Sequence, residues 1–287
     1  MNSFIAVLFS QDFPFIRNAL YAGLLSSILF GTLGAAVTVR RIGSLAGAVS
    51  HAVLGGIGMA LYLSAAKIVP GFPPMAGALI FAVLSAFIIG VVSLRAKQRE
   101  DTVINAIWAV GMSLGVLFMA KTPGYTDPSA YLFGNILLIS NRDLLLMGIL
   151  DVVVLFLAWR FYPQLEASSF DEEFARVRGV NSEAFFLALL AITAVAIVLL
   201  QTFVGIVMVI AMLTLPAGTA GTFARNLGWM MFLGCVFSAA FSVGGLVLGW
   251  TFDVPVGAMT VIIAAIVFLT VSVCRVALKK KIWRSVN

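Results

Sequence analysis

Charge is what this chain of 287 residues has least of: Asp, Glu, Lys and Arg make up 10% of it and hydrophobic residues 62%, against about 25% and 45–50% in a soluble domain. That balance excludes a water-soluble enzyme. Cysteine is nearly absent, and Cys235 and Cys274 both lie inside apolar runs, so neither a disulfide framework nor a Cys-rich metal site is available. Histidine occurs once, at His51, which leaves no zinc-protease His-Glu-x-x-His motif and no Ser/His/Asp set with a spare imidazole. A Gly-x-x-x-x-Gly-Lys-Ser/Thr phosphate loop is also missing, and no internal repeat is visible, so any energy source must be an ion gradient or a partner. No cationic region precedes the first apolar residues, and the run after Arg17 is too long for a signal-peptide core, so no cleavage is expected.

What is present is a series of long uncharged runs. Crossing a hydrocarbon core of about 30 Å takes about 20 apolar residues in a helix. The charges divide the chain into runs from Asn18 to Val39, Ile42 to Ala66, Met75 to Leu94 and Thr102 to Ala120, then Leu144 to Trp159, which carries Asp151. Ala184 to Ala224 is too long for one span and turns near Gln201 to Gly205, its second half broken by Pro216. Asn226 to Thr251 and Val254 to Cys274 complete a total of nine. With the N-terminus outside, only Arg17, Lys67, Lys121 and Arg142 remain external, and fourteen of the 18 basic residues fall in the cytoplasm. The expected architecture is therefore an all-α polytopic membrane protein, one transmembrane domain over 1–287, with about nine spans and a cytoplasmic C-terminus. The basic tail Lys279 to Arg284 reads as an anchor to anionic lipid and not as a nucleic-acid site.

One cytoplasmic segment, about 163–183, is long enough to fold. Ser169 followed by Glu172 fits a capping box, and Asp171, Glu172 and Glu173 suit the first turn of a helix. Gly179 offers a left-handed cap after Arg176 and Arg178. Phe170, Phe174 and Val177 share one face, which either enters a groove on a partner protein or lies on the membrane interface.

Two ionisable residues fall near the midplane. His51 is ten residues past Arg41, about 15 Å in at 1.5 Å per residue, and Asp151 is nine residues from both Arg142 and Arg160. Such groups usually face a bundle interior or a wet cavity, where they either line a substrate path or fix helix packing. The second span is rich in small residues, among them Gly43, Gly47, Gly55, Gly56 and Gly58, as suits a helix buried centrally or lining a two-fold axis. One imidazole cannot hold a transition metal selectively, whereas a symmetric dimer supplies two.

Six segments in order then resemble the permease subunits of bacterial ATP-binding-cassette importers for zinc, manganese or iron. They are Ser44-Leu45 through Ser50-His51-Ala52-Val53-Leu54, Arg99-Glu100-Asp101-Thr102, Tyr131-Leu132-Phe133-Gly134-Asn135-Ile136-Leu137, Phe170-Asp171-Glu172-Glu173-Phe174-Ala175, Leu215-Pro216-Ala217-Gly218-Thr219-Ala220 and Asp253-Val254-Pro255-Val256-Gly257-Ala258. The resemblance implies a type II importer fold in the bacterial cytoplasmic membrane. It implies a second copy of the chain, a cytoplasmic ATPase subunit, an extracytoplasmic metal-binding protein, a divalent metal ion as cargo and no permanently bound cofactor. It also implies that Phe170, Asp171, Glu172, Glu173, Phe174, Ala175, Val177 and Gly179 form the helix that couples to the ATPase, and that 125–141 faces the delivery protein or the gate. His51 is implied as a pathway ligand, but the family's Asp-Ala-x-Ser-His pattern has Gly47 here in place of its Asp. The missing carboxylate leaves a paired-His site, another donor such as Asp151, or a path completed by water. The alternative reading is an ion-gradient-driven secondary transporter using Asp151. A membrane-embedded enzyme is third, without a nucleophile or ligand set.

Overall fold

The computed structural model of the chain describes residues 14–95, 100–123 and 139–286. The motif at 131–137, the rest of 124–138 and Arg99 lie outside the described residues, as do the side chains of Glu100, Asp101 and the Lys279 to Arg284 tail. All regular structure among the described residues is helical: α1 (Pro14–Val39), α2 (Ser44–Ala65), α3 (Pro74–Arg95), α4 (Glu100–Lys121), α5 (Asn141–Arg160), α6 (Tyr162–Phe170), α7 (Glu172–Val177), α8 (Ser182–Val204), α9 (Ile206–Gly221), α10 (Leu227–Phe252) and α11 (Val256–Val286). Seven of these, α1 to α4, α8, α10 and α11, are long and apolar enough to cross a membrane, while α5 meets α6 at a 72° bend and α9 is a shorter apolar helix of 16 residues.

The helices begin and end where local chemistry dictates. Ser140 and Asp143 close a reciprocal capping box at the start of α5: the Ser140 amide donates to Asp143 Oδ2 at 3.0 Å and the Asp143 amide to Ser140 Oγ at 3.3 Å. Asn181 and Asn226 accept from the amides of Ala184 and Trp229 to start α8 and α10. The turn expected at Gln201 to Gly205 is made by Gly205 at φ +83°, a conformation that only glycine adopts without strain. Pro216, expected to break its span, instead lies inside α9, which runs on to Gly221. A proline removes one intrahelical donor, a loss that a membrane helix tolerates when its neighbours re-satisfy the freed carbonyl.

The chain forms two compact units. The first comprises residues up to Val39, Ile136–Leu155 and Ala211–Asn287. In it α1 packs along α10 through small residues, a Cβ built on Gly234 falling 3.1 Å from the Gly31 Cα. Asn18 Nδ2 ties the start of α1 to the Ile139 carbonyl at 3.1 Å.

The second unit comprises Arg40–Asn135 and Phe156–Ile210 and is built around α2, the span with the largest buried share, 83%. The small residues of α2 supply the close approach. A Cβ on Gly58 would sit 2.6 Å from the Gly115 carbonyl oxygen of α4, and one on Gly55 would sit 2.8 Å from that of Gly111, so only glycine fits this contact. On another face of α2, Gly56 meets the backbone of Gly77 in α3. The helix is thus central to this unit.

Candidate functional site

The residues singled out in the sequence fall into three places. His51 lies in the middle of α2, buried at 8% exposure, with its ring stacked on Trp108 of α4 at 4.7 Å between centroids and 19° between planes. Among the described residues its buried Nδ1 finds no hydrogen-bond partner, nor does the hydroxyl of the adjacent Ser50. A buried imidazole nitrogen left unpaired is costly, so a water or another polar group is expected to meet it. The position four residues earlier explains how Trp108 fits. A Cβ on Gly47 would lie 2.5 Å from Trp108 Cζ3 and 3.0 Å from Cη2, so the indole occupies the space that any side chain at 47 needs. The missing carboxylate and the aromatic wall beside His51 are thus one feature of packing.

Asp151 lies in α5 within the other unit, at 3% exposure, with both carboxylate oxygens buried and without a hydrogen-bond partner among the described residues. It shares its face with Met147 and Val154, spaced four and three residues away and equally buried, while Ile149, Val152 and Phe156 are exposed. The apolar side of α5 thus points outward and the acid inward, the arrangement expected of an ionisable residue at membrane depth. Among the described residues no group of three or more His, Cys, Asp or Glu comes together, and the structure places His51 and Asp151 in different units.

The third place is the segment between α5 and α8. Where the sequence suggests one helix capped by Ser169, the structure has two, and this corrects the capping assignment. Pro163 sits in the first turn of α6, which already includes Ser169, and the chain then turns extended at Asp171, φ −148° and ψ 97°. Asp171 Oδ1 accepts from the Phe174 amide at 2.9 Å and is the true cap of α7. Glu172 and Glu173 occupy the first turn, as expected for anions at a positive helix end. Gly179, at φ +77°, closes the other end: its amide bonds the Arg176 carbonyl and that of Val180 bonds the Ala175 carbonyl, both at 2.9 Å, which is the two-bond Schellman arrangement. Ala175 is fully buried, while Phe170, Phe174 and Val177 are 64%, 49% and 88% exposed. Arg178 lies over the Phe174 ring at 5.2 Å.

One residue that organises this segment escapes sequence reasoning. Arg40, in the turn that leads into α2, donates to the Ser168 carbonyl at 2.5 Å and to Glu172 Oε1 at 3.4 Å, and its guanidinium lies over the Phe186 ring of α8 at 5.1 Å. Burial draws its pKa below the ordinary arginine value and the Glu172 carboxylate opposes that, but an arginine keeps its charge throughout.

Long apolar helices, ionisable groups turned inward and a short capped segment between spans are the features of a polytopic membrane protein. The chain belongs to the ABC 3 transport family, whose profile matches residues 12–275. It is 33% identical over 265 residues to the "Probable metal transport system membrane protein" of Chlamydia muridarum, covering 92% of this chain and 90% of that one. It is 30% identical over 260 residues to the "Manganese import system permease protein ScaB" of Streptococcus gordonii, with 90% and 91% covered. Its fold is similar to a chain in the solved structure of PsaBC from Streptococcus pneumoniae in complex with Fab, at a TM-score of 0.80 and 32% identity, covering 93% of this chain and 94% of that one.

Proposed function

We propose that this chain is the membrane-spanning permease subunit of an ATP-binding-cassette importer for a divalent transition metal, with manganese favoured by the names of its relatives. In this reading the whole chain is one permease domain of nine spans with its N-terminus outside, working as a dimer of two copies. ATP is hydrolysed by a separate cytoplasmic subunit, and metal arrives from an extracytoplasmic binding protein. The observation that carries the reading is the α6–α7 segment: two short helices, the second capped at both ends, hold Phe170, Phe174 and Val177 outward in a chain that has no phosphate loop of its own. Exposed aromatic residues on a rigid support are what a partner groove recognises. His51 and Asp151 are proposed to line the metal path, since their buried, unpartnered atoms gain most from a passing cation or its waters.

The direct test is reconstitution with an ATP-binding-cassette ATPase subunit from the same organism and a panel of Mn²⁺, Zn²⁺ and Fe²⁺. ATP-dependent uptake of one of them is expected, and uptake driven by a proton or sodium gradient without the ATPase would replace this reading with a secondary transporter. In the same vesicles His51→Ala is expected to lower uptake about tenfold or more, the scale of losing one charge-assisted contact, with dimer and ATPase assembly intact. Wild-type uptake by that variant would return His51 to a packing role.

A further inference from the structure

We infer that Arg40 is the positioning residue that transmits movement of the α6–α7 segment to α2, the helix that carries His51. The inference rests on reading α6–α7 as the docking site of an ATPase. The geometry is that of a clamp with three jaws. One guanidinium, its side chain only 6% exposed, holds the last turn of α6 through the Ser168 carbonyl, the first turn of α7 through Glu172, and α8 through the face of Phe186. Arg40 lies four residues before Ser44, where α2 starts, and the turn between them is tight: Arg41 has φ +60°, and the Leu45 amide bonds the Ile42 carbonyl at 3.0 Å. A shift of α6–α7 is therefore passed to the N-terminal end of α2 through a buried, hydrogen-bonded group and not through a flexible loop.

The parts of the clamp differ in weight. The Glu172 contact is long and its carboxylate 51% exposed, so water screens it. The Ser168 contact is short, charge-assisted and buried, since Ser168 is 2% exposed, and losing its donor strands a buried carbonyl. Only arginine has the planar fork that can bond two acceptors while its charge sits over a ring; a lysine in its place keeps the charge but offers a point donor.

The test uses the full-length permease with Arg40→Gln and Arg40→Lys, and two readouts. Hydrogen exchange on the permease alone is expected to show the amides of α6 and α7 exchanging about tenfold faster in Arg40→Gln, with α10 unchanged. In vesicles carrying the ATPase subunit that the wild-type permease captures, and Mn²⁺, Arg40→Gln is expected to retain ATPase capture and ATP hydrolysis while Mn²⁺ uptake per ATP falls about tenfold, and Arg40→Lys to fall about threefold. That separation of hydrolysis from uptake is not produced by general destabilisation. Should Arg40→Gln fail to fold, Arg40→Lys carries both readouts. Unchanged exchange in α6–α7, or wild-type uptake per ATP in a variant that captures the ATPase, overturns the inference. If the wild-type chain captures no ATPase, the permease reading fails instead, and the exchange measurement still decides whether the clamp exists.

Discussion

Phe174→Asp is expected to abolish capture of the ATPase by the purified permease, an affinity loss of about 100-fold or more. Phe174 is half-exposed in α7, so its replacement leaves no cavity within the chain. What it removes is an aromatic anchor from the centre of a presented face, and what it adds is a carboxylate that a partner groove must desolvate. Each effect is worth about 2 kcal/mol or more, and about 2.7 kcal/mol already corresponds to 100-fold. The added charge also joins Asp171, Glu172 and Glu173 at the start of α7 and can draw Arg178 away from the partner. The measurement is pull-down of the ATPase by detergent-solubilised permease, with thermal unfolding of the permease alone as the control. Undiminished capture places the docking surface elsewhere. Phe170→Asp, on the neighbouring helix and equally outward, is expected to reproduce the loss and guards against a local effect on α7.

The layout of this chain is legible because sparse charges mark the edges of its apolar runs. Arg40, Arg95 and Arg160 each stand within one residue of a helix end, and the turn at Gly205 follows from a run too long for one helix. Caps are legible only in part. Ser169 with Glu172 and Asp171 with Phe174 are both acceptable caps by composition, and the choice between them is made by Pro163, which starts α6 early enough to absorb Ser169. What sequence reasoning cannot reach is contact between distant positions. The stack of Trp108 on His51 and the bond from Arg40 to Ser168 join positions far apart in the chain, where no helical period relates them. Gly47 shows the limit most clearly. In the sequence it is a missing ligand; in the structure it is the space that an indole fills.

That space makes Gly47→Asp the most severe single change expected near the candidate path. Its Cβ would press on the Trp108 ring at 2.5 Å, below any ordinary contact distance, and its carboxylate would be buried with no partner. Burying an unpaired charge costs about 3 kcal/mol or more, so the apparent melting temperature in detergent should fall by roughly 10 °C. Trp108→Ala alone removes a half-buried indole and frees the His51 ring at a smaller cost. The two changes share one volume and should not add: in the double variant Gly47→Asp/Trp108→Ala the clash is gone, and the penalty should be smaller than the sum by about 1 kcal/mol or more. The double variant also sets a carboxylate and an imidazole four residues apart on one helical face, a mixed O/N donor pair suited to divalent metals. Mn²⁺ should therefore raise its melting temperature more than it raises that of either single variant. Strict additivity would show that Trp108 does not occupy the place of the absent side chain, and a missing Mn²⁺ response in an otherwise rescued double variant would show that position 47 and His51 do not face a common ligand.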